Sequence, residues 1–408
     1  MRQAAEGQRL ALVGGVVRDL LLHRHHQDPW RGLPDLDLVV EGQAADLVTR
    51  LPAALEQQFG RAIPLRQQAH GRYGTVELEL QLPQELGGSW LVDLASARRE
   101  VYPEPAHNPV VSPGTLEQDL ARRDVTVNAM ALELVRGESA EVQLLDPHGG
   151  QRDLALRQLR FLHPDSLRDD PTRVVRAARY AARLGFELAP ESLDLITTTL
   201  HGWPWPWRPG DPPATAPAAL ATRLRMELEL MVEREPWRQA LTGLQAWGGL
   251  ALLDSALQAD RFCRGRLIWA ERLGLPLLLA LVLGAQDPEA LARRLQLPSR
   301  QQTLLLQALS LRQQLRKIER GELPSPDRPS DWTHLIEHSG RRSQAVALAL
   351  VAGARPRRPL VRWWAVWRHV LPPQGGARLI AEGWSPGKTL GAELRRQRAE
   401  LLDRRVDS

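Results

Sequence analysis

Hydrophobic and polar positions divide the chain into two parts with different periodicities. In the first part, the apolar run at residues 10–13 and the strict alternation at residues 75–82 predict β-strands, while residues 44–59 have the period of an amphipathic helix. From about residue 158 the strand patterns stop, and helical periodicity continues to the end of the chain. The pattern therefore predicts an α+β fold, in which a mixed β-sheet with helices is followed by an all-α region.

The first predicted strand leads directly into a glycine turn. Gly14 and Gly15 follow residues 10–13 and precede a predicted helix, an arrangement in which backbone N–H groups at the helix N-terminus can bind a phosphate. Arg18 lies one turn into that helix and can reach back to such a phosphate, with Asp19 orienting its guanidinium. A steric requirement for glycine and an ordinary surface ion pair are the alternatives, and this turn alone does not decide between them.

Two carboxylates mark the second predicted strand. Because side chains alternate along a strand, Asp35 and Asp37 lie on one face, where a cation is needed to offset their desolvation. Residues 75–82 and 90–95 predict a hairpin that brings Asp93 into the same sheet. Three carboxylates on one sheet suit divalent metal ions and two-metal phosphoryl transfer. A solvated edge strand for Asp35 and Asp37, and a structural role for Asp93, are the alternatives.

A polar segment follows this sheet. Residues 98–113 contain four prolines and predict a loop. A capping box at Thr115 then predicts a short helix that runs into Arg122, Arg123 and Asp124. Arginines at a helix C-terminus are favoured by the helix dipole, so these two have an ordinary structural explanation. Asp124 is unfavourable at that end unless it holds an arginine in place.

Residues 169–186 predict a long helix with a stripe of arginines. Spacings of three and four residues place four of them on one face, namely Arg173, Arg176, Arg179 and Arg183. Asp169 and Asp170 precede the stripe, and an acid and an arginine three residues apart can pair. The same two side chains can instead present an acceptor and a forked donor to a base, accepting cytosine and adenine and rejecting uracil and guanine. A solvated ion-pair face is the alternative.

Two other groups of residues have ordinary structural explanations. His23, His25 and His26 lie in a predicted polar loop, for which solvation is favoured over a metal site. The segment 201–219 is rich in proline and tryptophan and predicts an insertion loop between helices. Its tryptophans are expected to cover apolar surface rather than to stack on bases.

Composition narrows the class of protein. The chain has 408 residues, of which 25% are charged and 43% hydrophobic, and this length suits two to four domains. Lys317 and Lys388 are the only lysines; the arginine excess is typical of phosphate binding, and a GC-rich genome explains it equally well. The single cysteine, Cys263, excludes intrachain disulfides and cysteine-based zinc sites and indicates a reducing cytoplasm. No secretory signal or membrane-spanning run is found, so no membrane association is expected.

Seven segments, taken together and in order, resemble the motifs of the class II tRNA nucleotidyltransferase and poly(A) polymerase family. They are VGGVVRD at residues 13–19, DLD at 35–37, RRDVTVNAMAL at 122–132, LLDPHGGQRDL at 144–154, DDPTRVVRAARYAARLGFEL at 169–188, RLRMELELMV at 223–232 and GWSPGKTLGAEL at 383–394. No single segment is decisive, but seven in the same order are highly specific.

The resemblance implies a polymerase-beta-like nucleotidyltransferase palm followed by helical domains. By motif position, the head (palm) domain covers residues 1–157, and a helical neck with base recognition and RNA binding covers residues 158–235. A helical body covers residues 236–322, and a helical tail that binds tRNA covers residues 323–408.

The resemblance also implies roles for individual residues. Asp35 and Asp37 are expected to bind Mg²⁺, and with Asp93 they form the expected catalytic set. The residues expected to bind the nucleotide are Gly14, Gly15, Arg18, Arg122, Arg123, Asp124, Asp170, Arg173 and Arg176. Among these, Asp170 and Arg173 are expected to read the base, in agreement with the pairing argument above.

Two positions depart from the family pattern. Asp169 stands where the family usually has a glutamate that supports Arg173, so a shorter acid there changes the expected orientation. Lys388 replaces the second proline of the tail motif, which weakens only the match in the tail.

The activity implied by the resemblance is template-independent addition of CMP and AMP from CTP and ATP to the 3′ end of tRNA, with release of pyrophosphate. The expected partners are CTP, ATP and the 3′ end and acceptor arm of tRNA, in the cytoplasm, and no stable protein partner is expected. The alternatives are an enzyme that adds only CC or only A, a poly(A) polymerase, and a non-catalytic RNA-binding protein that kept the fold.

Overall fold

The structure, a computed structural model, describes residues 1–30, 36–70, 74–135 and 142–404. The chain divides into two compact units, the first formed by Met1–Asp211 and Thr215–Leu252 and the second by Pro212–Ala214 and the chain from Leu253 onwards. The first unit contains the predicted head and neck. The finer division into head, neck, body and tail stays a prediction.

Strands occur only in the first unit among the described residues. In chain order they are β1 (Leu10–Val13), β2 (Leu36–Val40), β3 (Leu65–His70), β4 (Thr75–Gln81), β5 (Ser89–Ser96), β6 (Arg98–Val101), β7 (Val110–Pro113), β8 (Ala131–Leu134), β9 (Val142–Leu145), β10 (Gln158–Leu159) and β11 (Glu187–Leu188).

The α-helices account for most of the chain. Those of the first unit are α1 (Gly15–His26), α2 (Ala44–Phe59), α3 (Leu116–Ala121), α4 (Gly150–Leu156), α5 (Ser166–Asp169), α6 (Thr172–Leu184), α7 (Pro190–Gly202), α8 (Thr222–Arg234) and α9 (Trp237–Ala246). Those of the second are α10 (Ser255–Ala259), α11 (Cys263–Arg272), α12 (Leu277–Val282), α13 (Pro288–Arg294), α14 (Ser299–Glu319), α15 (Pro329–Glu337), α16 (Ser343–Val351), α17 (Arg357–Ala365), α18 (Gly376–Ala381) and α19 (Lys388–Arg404).

Seven strands form one mixed sheet in the order β3–β4–β5–β2–β1–β8–β9. β2 and β5 run parallel, and the other neighbouring pairs run antiparallel. The predicted hairpin of β4 and β5 is confirmed, and so is the mixed sheet of the predicted α+β fold. Because β2 lies between β5 and β1, the interpretation of the strand that carries Asp37 as a solvated edge strand is wrong.

Alternation along the strands gives the sheet two different faces. On one face, Leu38, Leu78 and Leu94 pack in the larger core together with Leu47 of α2. On the other, Ala11 and Val39 pack in a smaller core with Leu116 and Leu120 of α3; we call this side the α3 face. Since Asp37 alternates with Leu38, its side chain belongs to the α3 face.

The prediction of a loop at residues 98–113 is wrong, because both ends of that segment are strands. β6 and β7 pair antiparallel, with Val101 opposite Val110. The β-branched valines favour strand conformation on either side of the proline-rich tip. The tip is held in place by Ala106, which is fully buried and whose carbonyl accepts a hydrogen bond from the N–H of Ala219 at 3.2 Å.

The predicted single helix over residues 169–186 is interrupted at its start. α5 ends at Asp169 and α6 begins at Thr172, because Pro171 disfavours helical geometry at the residue before it. Asp170 has extended backbone geometry, with φ −143° and ψ 95°. Gly185 then ends α6 in a left-handed conformation with φ 70°.

The neck segment also contains a short strand pair, so the prediction that strands stop at about residue 158 is wrong. β10 and β11 are parallel, with Leu159 beside Leu188. The prediction for residues 201–219 is confirmed: Trp205 and Trp207 are buried, and Trp203 meets Trp205 edge-on with ring centroids 5.0 Å apart.

The three neighbouring histidines have a different setting from the predicted one. His23, His25 and His26 lie in the last turn of α1, where basic side chains suit the helix dipole, and not in a loop. Among the described residues, no group of three His, Cys, Asp or Glu side chains is arranged to hold a metal ion.

The second unit is helical throughout the residues that the structure describes. Its ten α-helices enclose their own core; in α16, the six residues from Ala345 to Leu350 are all buried. A proline-rich segment at residues 320–328 separates α14 from α15. Within the described ranges, no helix has the length and apolar character needed to cross a membrane.

Candidate active site

The glycine turn after β1 has a geometry that only glycine adopts easily. Gly14 has φ 74° and ψ −131°, which strains any residue with a Cβ atom. A Cβ added there would lie 2.9 Å from Nη1 of Arg123 and 3.8 Å from Oδ2 of Asp37. The absence of a side chain therefore opens the space where the turn, an arginine and a strand carboxylate face one another.

We expect Gly14→Ala to harm both stability and nucleotide use. The positive φ costs about 1–3 kcal/mol of stability, and the new methyl group displaces the Arg123 guanidinium, so kcat/KM for nucleotide falls about tenfold or more. Urea unfolding and steady-state kinetics measure the two effects. Gly60→Ala is the matched control, because Gly60 also has positive φ but has no atom within 4 Å of an added Cβ. If both variants keep full activity, the turn does not bind the nucleotide.

The carboxylates of the sheet form a row across three strands. Asp37 of β2 is in register with Asp93 of β5, which is in turn opposite Glu77 of β4. Residues in register point to the same face, so all three belong to the α3 face. The prediction that Asp93 joins the sheet of Asp37 is confirmed, while Asp35 lies outside the described residues. Neighbouring carboxylates repel each other unless a cation lies between them, and Asp37 and Asp93 therefore suit a divalent metal ion.

Arg18 folds back over the start of α1, as predicted. Its guanidinium is buried and donates to Asp19 at 2.8 Å and to the side-chain oxygen of Asn128 at 2.7 Å. A Cβ at Gly15 would lie 3.5 Å from Nη2 of Arg18. The arginine is thus fixed next to the glycine turn, at the positive end of the helix dipole.

Arg123 retains hydrogen-bond donors next to the same turn. Its Nη2 donates to Asp119 at 3.0 Å, whereas its Nη1 is the atom that an added Cβ at Gly14 would approach. Its Nε is buried and has no acceptor among the described residues. A guanidinium held at one end with donors left at the other is suited to a phosphate.

Asp124 holds an arginine in place, as its unfavourable position predicted. Its carboxylate accepts from Nε of Arg176 at 2.7 Å and lies 3.6 Å from Nε of Arg173. Burial by itself raises the pKa of Asp124, but the charges of Arg176 and Arg173 outweigh it, so the pKa lies below its ordinary value. Asp124 therefore stays ionised, and it connects the end of α3 to α6.

The N–H of Arg173 donates to the carbonyl of Asp170 at 3.2 Å, but their side chains form no hydrogen bond with each other among the described contacts. Oδ1 of Asp170 accepts from the N–H and the hydroxyl of Thr172, and Oδ2 accepts from Arg223. Arg173 donates to the carbonyls of Ser166 and Arg122, at 3.2 and 2.9 Å. Both side chains are almost fully buried.

A cavity of about 420 Å³ opens beside Arg173. Hairpin β6–β7, α3 and the start of the neck all contribute to it, and its polar lining includes Tyr102, Gln118, Arg122, His163 and Asp169. Asp169 contacts Arg168 at 3.4 Å and not Arg173. Burial raises the pKa of Asp169 above its ordinary value.

The arginine stripe of α6 is an ion-pair face, as the alternative held, but it is only partly solvated, because Arg173 and Arg179 are buried. Glu227 of α8 pairs with Arg176 and Arg179, and Glu235, which follows α8, pairs with Arg179 and Arg183. Together with Asp124 these side chains form a chain of alternating charges, which we call the neck ion-pair chain. It fastens α6 to α8 and ends at the carboxylate that fixes Arg176.

A family-level match and a match to an individual relative identify the same family. The Poly A polymerase head domain family matches residues 10–160. The CC-adding tRNA nucleotidyltransferase of Deinococcus radiodurans is 38% identical over 326 residues, which are 76% of this chain and 72% of that protein. The chain belongs to the class II tRNA nucleotidyltransferase and poly(A) polymerase family. A second family member, the A-adding tRNA nucleotidyltransferase of Aquifex aeolicus, is 38% identical over 47% of this chain, but the chain spans only 20% of that protein.

Solved structures of CCA-adding enzymes have the fold of this family member. An apo form matches with a TM-score of 0.70 and 23% identity, covering 98% of this chain and 91% of that chain. The Thermotoga maritima CCA-adding enzyme complexed with tRNA matches with a TM-score of 0.65 and 22% identity, covering 98% and 88%. At this identity the likeness establishes the fold alone.

The sequence identified Arg18 and Asp170 as candidate site residues, and the structure identifies the residues that hold them in place. Sequence analysis missed Asn128, which holds Arg18, and Arg223, which holds Asp170. Both residues lie inside segments that resemble the family motifs, but the sequence does not show which side chains they contact. Glu227 and Glu235 were also missed, because they are about fifty residues away from the arginines with which they pair.

Proposed function

We propose that the protein is a template-independent tRNA nucleotidyltransferase that adds CMP, AMP or both from CTP and ATP to the 3′ end of tRNA and releases pyrophosphate. The observation that carries this proposal is the convergence of Gly14, Arg123 and Asp37 at one turn. Relatives with CC-adding and A-adding activity and structural neighbours that are CCA-adding enzymes support the choice of substrate.

The carboxylates of the α3 face are the proposed metal ligands. Asp37 and Asp93, with Asp35, would hold Mg²⁺, an ion that prefers carboxylate oxygens. When bound, the metal lowers the pKa of the attacking 3′-hydroxyl and stabilises the departing pyrophosphate. The chain itself would neutralise and orient the triphosphate through Arg18 and Arg123 at the glycine turn.

The proposed choice of base depends on groups that Asp170 and Arg173 keep available. Each carboxylate oxygen has two lone pairs, and Oδ2 of Asp170 accepts one described hydrogen bond, from Arg223. The guanidinium of Arg173 has five N–H groups and uses two of them on carbonyls. An acceptor and a donor are therefore left for the amino group and the ring nitrogen of cytosine or adenine.

Asp170→Asn is expected to weaken the choice of base. Removing the charge lowers kcat/KM for CTP and ATP about tenfold or more, because a hydrogen bond to a charged group contributes about 1.5–3 kcal/mol. An amide can also donate, so discrimination against UTP narrows. Incorporation measured with each of the four nucleotides separately gives both values. Asp194→Asn is the control, with less than about threefold change, because Asp194 is exposed on α7, outside the candidate site. Unchanged discrimination in Asp170→Asn would exclude Asp170 from base reading.

The direct experiment supplies tRNA that lacks the terminal CCA, together with CTP, ATP or both. Incorporation of one to three nucleotides supports the proposal, and the length of each product distinguishes CC-only, A-only and complete CCA addition. Long A tails on generic RNA would instead indicate a poly(A) polymerase. RNA binding without any incorporation would indicate a non-catalytic protein that kept the fold.

The proposed location is the cytoplasm. The chain has one cysteine, Cys263, which is free and buried, and a tRNA substrate is found in that compartment. The proposed partners are CTP, ATP and the acceptor arm of tRNA, and binding of tRNA should weaken with rising salt concentration.

A further inference from the structure

A buried carboxylate outside the predicted site holds both arginines that follow α3. Asp119 is 1% exposed. Its Oδ1 accepts from Nε and Nη2 of Arg122 at 2.9 and 2.7 Å, and its Oδ2 accepts from Nη2 of Arg123 at 3.0 Å. The two oxygens are thus divided between two neighbouring guanidinium groups.

The helix that carries Asp119 is itself firmly placed. Leu116 and Leu120 anchor α3 in the small core of the α3 face. The Thr115 capping box closes its N-terminus, and Glu41 accepts from the N–H of Leu116 at 2.7 Å. A carboxylate on so short and well-anchored a helix has little freedom, so it defines where its arginine partners lie.

The two arginines depend on Asp119 to different degrees. Arg122 has a second carboxylate, Glu100 of β6, at 3.1 Å. For the guanidinium of Arg123, by contrast, Asp119 is the only hydrogen-bond acceptor among the residues that the structure describes. Loss of Asp119 therefore leaves Arg122 with Glu100 as a partner, and leaves the Arg123 guanidinium without an acceptor among the described residues.

We propose that Asp119 is a positioning residue for nucleotide binding, acting through Arg123. It holds one end of the guanidinium so that Nη1 faces the Gly14 turn beside Asp37. Without that contact the long side chain regains its rotamer freedom, and the nucleotide must order it on binding. This inference rests on the proposed function and adds to it a residue that never touches the nucleotide.

The first test measures Asp119→Asn, which keeps the size of the side chain and removes its charge. We expect the KM for CTP and ATP to rise about tenfold, with the KM for tRNA within twofold of the original. Glu117→Gln is the matched control on the same helix, because Glu117 is half-exposed and pairs with Arg9, away from both arginines. An equal rise in both KM values, or none, would overturn the proposal.

A double-mutant cycle identifies the residue through which Asp119 acts. In an Arg123→Ala background, Asp119→Asn should change the KM for nucleotide by less than about twofold, since coupled residues are not additive. In an Arg122→Ala background, its full effect should persist. Additivity with Arg123→Ala, or loss of the effect in Arg122→Ala, would contradict the assignment.

A second variant and a binding assay keep the proposal testable if Asp119→Asn does not fold. Asp119→Glu retains the charge but moves the carboxylate by one methylene, and we expect at least a threefold rise in the KM for nucleotide; wild-type kinetics would count against the proposal. Equilibrium dialysis with CTP and Mg²⁺, without tRNA, measures the affinity for CTP independently of nucleotide transfer. Failure of the unmodified protein to extend tRNA would refute the proposed function, whereas unchanged CTP affinity in Asp119→Asn would refute this inference.

Discussion

Replacing Asp37 with alanine is expected to lower the rate of nucleotide incorporation by about 10³-fold or more, because charge stabilisation by a bound metal ion contributes several kcal/mol to such reactions. Asp37 lies on a central strand, in register with Asp93 and facing the Gly14 turn. Of the three carboxylates in that row, Asp37 is the one among the three atoms nearest to a Cβ added at Gly14. The loss should be in kcat, since the metal acts on the reacting groups.

The measurement is single-turnover incorporation of CMP and AMP into tRNA, combined with tRNA affinity and thermal unfolding. Affinity and unfolding should remain close to those of the original protein, because the Asp37 side chain is not part of either core. Glu79→Gln is the control on β4; its carboxylate is partly exposed and contacts Arg66 at 3.7 Å. Incorporation that survives in Asp37→Ala with an unchanged metal requirement would contradict the assignment of Asp37 as a metal ligand.

The second large effect is expected on stability. Glu235→Gln should lower the free energy of unfolding by about 2 kcal/mol, because Arg179 loses one of its two buried carboxylate partners and keeps only Glu227. The side chain of Glu235 is 1% exposed and accepts from Arg179 at 3.1 Å and from Arg183 at 2.9 Å. The Arg183 side chain is 40% exposed, so solvent screening weakens its ion pair with Glu235. Most of the loss in free energy of unfolding therefore comes from Arg179.

Urea unfolding followed by circular dichroism measures this loss. Glu233→Gln is the control at the end of α8, since Glu233 is exposed, and its effect should stay within about 0.5 kcal/mol. Because the neck ion-pair chain continues to Arg176 and Asp124, Glu235→Gln should also raise the KM for nucleotide modestly. A stability equal to that of the control would show that the chain of ion pairs contributes nothing to the attachment of α6 to α8.

Local patterns were sufficient for the elements that form the first half of the site. The apolar run of β1, the glycine pair and the helix after it were predicted from adjacent residues alone. Asp124 was correctly expected to hold an arginine, because an acid at a helix C-terminus conflicts with the helix dipole. The family motifs also identified Asp170 and Arg173, which the structure places side by side at the start of α6.

Long-range pairing could not be read from the sequence. The register that sets Asp37 beside Asp93 depends on how two distant strands meet, and periodicity fixes only which face each residue occupies. The partners of the arginine stripe are likewise about fifty residues away in Glu227 and Glu235. Asp119 was missed for a different reason: its partners Arg122 and Arg123 are only three and four residues away, but the approach of Arg123 to the Gly14 turn cannot be seen from the sequence.

Two of the wrong predictions did have local signals. Pro171 indicated that the helix begins after Asp170, because the residue before a proline avoids helical geometry. The valines at 101, 110 and 111 indicated strands on either side of the proline-rich tip, and the count of prolines concealed them. In both cases the position of proline mattered more than its frequency.

The most direct measurement of the central claim is the product length formed on tRNA without its CCA end. With CTP and ATP together, the unmodified protein should add one to three nucleotides and then stop, whereas Asp37→Ala should add none in the same time. A preparation that leaves this tRNA unextended under all nucleotide combinations, or that adds long A tails to generic RNA, would contradict the proposed function.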